Sequence, residues 1–76
     1  MKQITIELSD TEGISKLIWK LRKAQGLTQA QLGEKIGTGK ARIAKLEKNV
    51  GNARLSTLQR VFSALGYNLK INIRDL

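Results

Sequence analysis

The sequence predicts a mainly α-helical domain in which four helices are flanked by a short strand at each end. Three observations predict it. Apolar residues recur at helical spacing through the middle of the chain, glycines stand where helices would end, and both chain ends alternate between apolar and polar residues. The 76 residues form at most one domain, assigned to residues 1–76 with a helical core over residues 9–66. A domain this small without cysteine has no disulfide to stabilise it, so an oligomer is expected.

The first helix follows a short strand. In residues 3–8 apolar and polar side chains alternate, and this period of two predicts a strand. Ser9 and Glu12 have the spacing of a capping box, which predicts that a helix starts there. Gly26 is placed to end this helix. Its apolar stripe consists of Ile14, Leu17, Ile18, Leu21 and Ala24.

Two further short helices are joined by a glycine turn. Thr28 and Gln31 repeat the capping-box spacing, and the helix that they open ends at the turn of residues 37–39. A third helix follows over residues 40–48. Its buried face is marked by Ile43, Leu46 and Val50. Two short helices in this arrangement make a helix-turn-helix.

The C-terminal part of the chain predicts one more helix and a strand. A loop over residues 48–54 leads into the fourth helix, which Gly66 ends. The apolar stripe of this helix consists of Leu55, Leu58, Val61, Phe62 and Leu65. Residues 67–73 then alternate as a half-buried strand does. A strand with an apolar face needs a partner strand, either from the same chain or from a second copy.

Charge is the most informative part of the composition. The chain carries 14 Lys and Arg against 6 Asp and Glu, a net charge of +8, which indicates a polyanionic partner. The absence of His and Cys excludes zinc sites and imidazole chemistry, so we expect neither a cofactor nor a metal, and no enzyme activity. No apolar run approaches the roughly 18 residues of a membrane span. The protein is therefore expected to be cytoplasmic, with no membrane partner.

The outward face of the third helix is small and cationic. At 100° per residue, the side chains opposite the buried Ile43 are those of Ala41, Lys45 and Lys48. Arg42 and Ala44 flank them, and Lys40 lies in the first turn. Lysine and arginine reach guanine acceptors or phosphates, and alanine lets a helix approach the groove floor. An ordinary solvated helix face is the alternative, but the position on the second helix of a helix-turn-helix favours DNA.

The motif itself carries a resemblance. The run Leu27-Thr28-Gln29-Ala30-Gln31-Leu32-Gly33-Glu34-Lys35-Ile36-Gly37, followed by Ile43 and Leu46-Glu47, resembles the Cro/C1-type (Xre) helix-turn-helix family over roughly residues 14–66. The resemblance implies a Cro/C1-like core and an ion pair between Arg22 and Glu47. It also implies two sets of DNA contacts. The base-reading set is Lys40, Ala41, Arg42, Ala44 and Lys45. For the DNA backbone the resemblance implies a contact of Gln29, and we expect further contacts from Thr28, Lys48, Asn52 and Arg54.

The C-terminal half is similar to HipB-type antitoxins. The similarity lies in Glu47-Lys48-Asn49, Asn52, Leu55-Ser56-Thr57-Leu58, Leu65 and the alternating final strand. It implies an autoregulating repressor that binds a palindromic operator as a homodimer and pairs with a HipA-type kinase toxin. It further implies that the C-terminal strands of two copies form a dimer sheet. The dimer residues would be Tyr67, Leu69, Ile71 and Ile73. The strand of residues 3–8 departs from this pattern and pairs with residues 67–73 either within the subunit or across the dimer.

Two other functions fit the same residues. A stand-alone or phage-type repressor would use the same cationic helix and have no toxin. A protein antagonist whose main role is toxin neutralisation would instead use exposed aromatic surface such as Trp19, which lies off the main apolar stripe of helix 1. A phosphate-binding loop at residues 37–40 is rejected, because that motif needs a glycine at Glu34 and a hydroxyl at Ala41.

Overall fold

The computed structural model describes residues 1–73 and has the predicted order of four helices between two strands. The elements are β1 (Lys2–Glu7), α1 (Thr11–Ala24), α2 (Gln29–Lys35), α3 (Lys40–Lys48), α4 (Leu55–Ala64) and β2 (Tyr67–Asn72). Glycines with positive φ follow three of the helices, because this backbone conformation is unfavourable for other residues. They are Gly26, Gly37 and Gly66.

The two predicted helix caps have different outcomes. The capping box of α2 is confirmed: the Thr28 hydroxyl accepts from the Gln31 N–H at 3.0 Å, and the Gln31 side chain accepts from the Thr28 N–H at 2.8 Å. The capping box at Ser9 and Glu12 is wrong, because the Asp10 side chain caps α1 by accepting from the Gly13 N–H at 3.0 Å. The reason is a turn in which the Asp10 N–H bonds the Glu7 carbonyl, which moves the helix start to Thr11.

The strands β1 and β2 pair with each other in parallel within one chain. Ile4 lies opposite Leu69 and Ile6 opposite Ile71, so the apolar positions of both strands share one face. This face packs on the helical core, while alternate residues of β2 are exposed. Parallel neighbours need a long crossover, and the four helices provide it. Of the two pairings that the sequence left open, the structure has the one within the subunit. Ile73 lies beyond β2 and is 53% exposed.

All four helices contribute to one apolar core. Its most deeply buried side chains are Ile18, Leu32, Ile43, Val61 and Phe62. The sheet adds Ile6, which is buried, and the half-buried Leu69 and Ile71. The core therefore connects β1 and β2 to the helix-turn-helix.

The helices α2 and α3 approach each other closely at Gly33. This glycine is buried, and its carbonyl accepts from the Thr38 N–H at 2.8 Å. A Cβ atom at this position would lie 2.8 Å from the Thr38 carbonyl oxygen and 3.0 Å from that of Gly39. Because backbone atoms cannot move aside as the end of a side chain can, the turn between the helices requires glycine here.

Gly33→Ala should therefore destabilise the protein by about 1–3 kcal/mol, the usual cost of inserting a methyl group into a closely packed site. Gly39→Ala is the matched control, since nothing lies within 4 Å of a Cβ there and its φ is −91°. Gly39→Ala should change the free energy of unfolding by no more than about 1 kcal/mol, because two effects oppose each other. Alanine lowers the chain entropy of the unfolded state, which stabilises the protein, but it is a less favoured N-cap residue than glycine, which destabilises it. Urea denaturation followed by circular dichroism measures the free energy of unfolding of both variants. Equal losses of stability would contradict the close approach of α2 and α3 at Gly33.

Candidate nucleic-acid interface

The helix α3 presents one buried and one cationic face. Ile43 and Leu46 are buried, and Ala44 is half-buried. The exposed residues of the helix are Lys40, Ala41, Arg42, Lys45 and Lys48. The face expected from helical periodicity is therefore the one that α3 turns to solvent.

A groove runs along one side of this face. Its volume is about 470 Å³, and its walls come from α3 and from the loop that follows it. Its lining consists of Arg42, Lys45, Leu46, Lys48, Asn49, Asn52 and Ala53. The fold thus brings Asn52 beside the lysines of α3, as the predicted backbone contact requires. Arg54, the residue before α4, is exposed and lies outside this lining.

A second depression, of about 600 Å³, lies where α1, α2 and α3 meet. It brings Lys40 of α3 together with Thr28 and Gln29 at the start of α2. Lys23 of α1 lines the same depression, although the sequence analysis did not single it out. The available signal was its position between Arg22 and the turn that leads into α2.

Both depressions are suited to a polyanion. Neither lining contains an acidic side chain within the described part of the chain, and each combines lysine with other hydrogen-bond donors. Lysine and arginine bind phosphate through charge-assisted hydrogen bonds. Across residues 1–73 there is no cluster of side chains that could hold a metal ion and no helix long and apolar enough to cross a membrane.

The ion pair between Arg22 and Glu47 joins α1 to α3. The Arg22 Nε donates to Glu47 Oε2 at 2.5 Å and Nη2 donates to Oε1 at 2.9 Å, while Nη1 donates to the Leu27 carbonyl at 2.8 Å. Both side chains are more than nine-tenths buried. The hydrogen bonds to Glu47 raise the pKa of Arg22 above its ordinary value, against the opposing effect of desolvation by burial. This pair fixes the orientation of α3 on α1.

The amide of Gln29 extends this network. Its Nε2 donates to Glu47 Oε1 at 3.2 Å, so the side chain is held at the edge of the second depression. An amide nitrogen carries two hydrogens. One of them is therefore not used in the hydrogen bond to Glu47.

The chain is similar to several known proteins. A family profile described as "Helix-turn-helix" matches residues 20–71. Over 56 residues the chain is 38% identical to the "Putative antitoxin HigA2" of Mycobacterium tuberculosis (strain ATCC 25618 / H37Rv), covering 72% of this chain and 55% of that protein. Over 53 residues it is 40% identical to the "Immunity repressor protein" of Bacillus phage phi105, covering 70% of this chain and 37% of that one. The chain spans little more than half of the first relative and less of the second.

A solved structure shares the fold. The crystal structure of a point mutant of the restriction-modification controller protein C.Esp1396I superposes with a TM-score of 0.72 at 26% sequence identity. The match covers 76% of this chain and 75% of that one. The two chains therefore share a mainly helical fold.

Glu47→Ala should reduce the free energy of unfolding by about 3–5 kcal/mol, because it leaves the buried Arg22 guanidinium without its carboxylate. Glu12→Ala is the control. It removes an exposed pair with Lys16, 3.2 Å apart, and should cost at most about 1 kcal/mol. Urea denaturation of both variants gives the two values. A loss for Glu47→Ala no larger than that for Glu12→Ala would contradict a structural role of the pair.

Proposed function

The chain belongs to the helix-turn-helix family of DNA-binding regulators, and we propose that it is a transcriptional repressor that binds a palindromic operator as a homodimer. The observation that carries this proposal is the exposed cationic face of α3, whose residues line both depressions. An α-helix fits the major groove, whose two borders are phosphate backbones. The exposed face of α3 would then meet the bases, while Asn52 of the first depression and Thr28 and Gln29 of the second would meet the two backbones.

The proposed contacts divide accordingly. Base reading is assigned to exposed side chains of α3 and to the half-buried Ala44, with Lys40 and Ala41 nearest the bases. These residues are Lys40, Ala41, Arg42, Ala44 and Lys45. Backbone contacts that position the protein are assigned to residues at the borders of this face. These are Thr28, Gln29, Lys48, Asn52 and Arg54, to which the geometry adds Lys23.

The proposed dimer uses the free edge of β2. Among residues 1–73, β2 has β1 as a strand partner on one edge, and its second edge has none. Joining two such edges about a twofold axis gives a four-stranded sheet with β1 at each end, and Tyr67, Leu69, Ile71 and Ile73 lie along the new contact. One chain measures 36 × 26 × 19 Å. Two chains of this size side by side are compatible with half-sites about 34 Å apart, one turn of DNA.

The finer proposal is that the repressor is the autoregulating antitoxin of a toxin–antitoxin pair. The mycobacterial relative, named as an antitoxin, supports it, and the phage immunity repressor supports the alternative of a repressor without a toxin. A HipA-type kinase as the toxin stays a prediction. A role as a protein antagonist would use the exposed indole of Trp19, which is 49% exposed.

Binding to the DNA upstream of the protein's own gene, at two salt concentrations, tests the repressor function. Specific binding that weakens as salt increases is expected, because each phosphate contact releases counterions. Adding the product of the neighbouring gene distinguishes the finer alternatives. Tighter or shifted binding supports an antitoxin, and binding indifferent to the neighbour supports a stand-alone repressor. Absence of any sequence-specific binding would contradict the repressor function.

Lys45→Ala should weaken binding to the preferred duplex by about 1–3 kcal/mol and relax its sequence preference, because Lys45 is assigned to base reading. Lys70→Ala is the control, since it removes the same charge from the exposed side of β2. Binding isotherms on the preferred duplex and on single-base variants measure both effects. A uniform loss on all duplexes with a shallower salt dependence would instead identify Lys45 as a phosphate contact.

Ile73→Asp should convert the dimer to a monomer, because it puts a charge on the exposed apolar residue that directly follows β2 and that the second copy is proposed to cover at the end of the strand-to-strand contact. The single chain should keep its stability, since Ile73 is already 53% exposed. Asn72→Asp makes the same charge at an exposed neighbouring position and should leave the dimer intact. Sedimentation velocity distinguishes the two species. A dimeric Ile73→Asp variant would contradict the strand-to-strand contact.

A further inference from the structure

The hydroxyl of Ser15 bonds the backbone at the C-terminal end of α3. Ser15 lies in α1 and is only 3% exposed. Its Oγ donates to the Leu46 carbonyl at 2.9 Å and accepts from the Val50 backbone N–H at 3.1 Å. Leu46 and Val50 are four residues apart, which is the spacing that a further turn of α3 would join directly. The hydroxyl therefore replaces the hydrogen bond that would have continued the helix.

We propose that Ser15 is a positioning residue for DNA binding, which caps the C-terminus of α3 from a different helix and sets the course of the loop that follows. A hydroxyl suits this role because it donates and accepts at the same time, and both backbone groups that it satisfies are buried with it. This inference rests on the proposed function, since it concerns how the same surface is held in shape.

The loop after α3 is anchored through Val50. The side chain of Val50 is 4% exposed and belongs to the core, and its N–H is held by Ser15. Its carbonyl accepts from the Ala53 N–H at 2.8 Å, which closes a turn over residues 50–53. Asn52 is the third residue of that turn. Fixing Val50 therefore fixes the backbone of Asn52 as well.

The consequence for DNA binding is geometric. Asn52 forms one wall of the 470 Å³ groove, and Arg42, Lys45 and Lys48 form the other. If α3 continued by half a turn, or if its end frayed, the separation of the two walls would change. A protein that contacts bases with one wall and a phosphate with the other depends on that separation. Binding without sequence preference depends mainly on charge.

The experiment compares Ser15→Ala with Ile18→Val in the full chain. Ile18→Val is the control because it removes a methylene group from the buried side of the same helix and leaves both hydrogen bonds of the Ser15 hydroxyl in place. Two affinities are measured for each variant, one for a duplex that the wild-type protein selects from a random pool and one for poly(dI-dC). Hydrogen exchange of the Val50 amide is measured by NMR without DNA.

Ser15→Ala should bind the selected duplex about tenfold more weakly, which equals roughly 1.4 kcal/mol. Its affinity for poly(dI-dC) should change less than about twofold, because its charge is unchanged. Its Val50 amide should exchange faster than in Ile18→Val. Equal affinity of the two variants for the selected duplex, or a Val50 amide that stays protected in Ser15→Ala, would overturn the inference.

The wild-type protein provides a separate readout if Ser15→Ala does not fold. Its Val50 amide should exchange as slowly as the amides inside α1, and rapid exchange would overturn the cap. Failure of the wild-type chain to select any duplex would overturn the proposed function, and with it the role of Ser15 in DNA binding. The Val50 exchange rates would then still test the cap by themselves.

Discussion

The docking of α3 on α1 is the contact on which the proposed DNA-binding surface depends. α2 and α3 have only seven and nine residues, and isolated helices shorter than about 12 residues are marginal in water. Their geometry must therefore come from tertiary contacts. Two buried polar contacts with α1 position α3. One is the ion pair of Arg22 with Glu47, and the other is the Ser15 hydroxyl, which bonds the backbone of Leu46 and Val50. Both contacts hold the last turn of α3 or the residues just beyond it. They therefore also fix the orientation of the exposed cationic side chains of α3.

The sheet performs a different task from the helix-turn-helix. By pairing in parallel, β1 and β2 place their shared apolar face on the core that the four helices form. The apolar faces of both strands are used in this packing, whereas one edge of β2 stays free of a strand partner in residues 1–73. Contacts proposed for DNA and for a second copy therefore lie on separate elements, and a substitution in one need not disturb the other.

Local patterns in the sequence predict the elements and their faces, but not every partner. The helical period around Ile43 and the Thr28–Gln31 spacing depend on neighbouring residues alone, and both predictions agree with the structure. The cap at Ser9 is wrong because a turn from Glu7 to Asp10 decides where α1 begins. Alternation gave the faces of the strands but left open whether β1 pairs within its own chain. Ser15 was missed because its partners lie 31 and 35 residues away.

In the proposed complex, the exposed face of α3 lies in the major groove, Asn52 contacts one DNA backbone, and Thr28 and Gln29 contact the other. An NMR titration of the protein with a duplex that it selects from a random pool tests this most directly. Backbone amide shifts should concentrate in residues 40–48, at residues 28–30 and around Asn52, with little change at Asn68 and Lys70 on the exposed side of β2. The largest shifts on that side of β2, with α3 unaffected, would contradict the account.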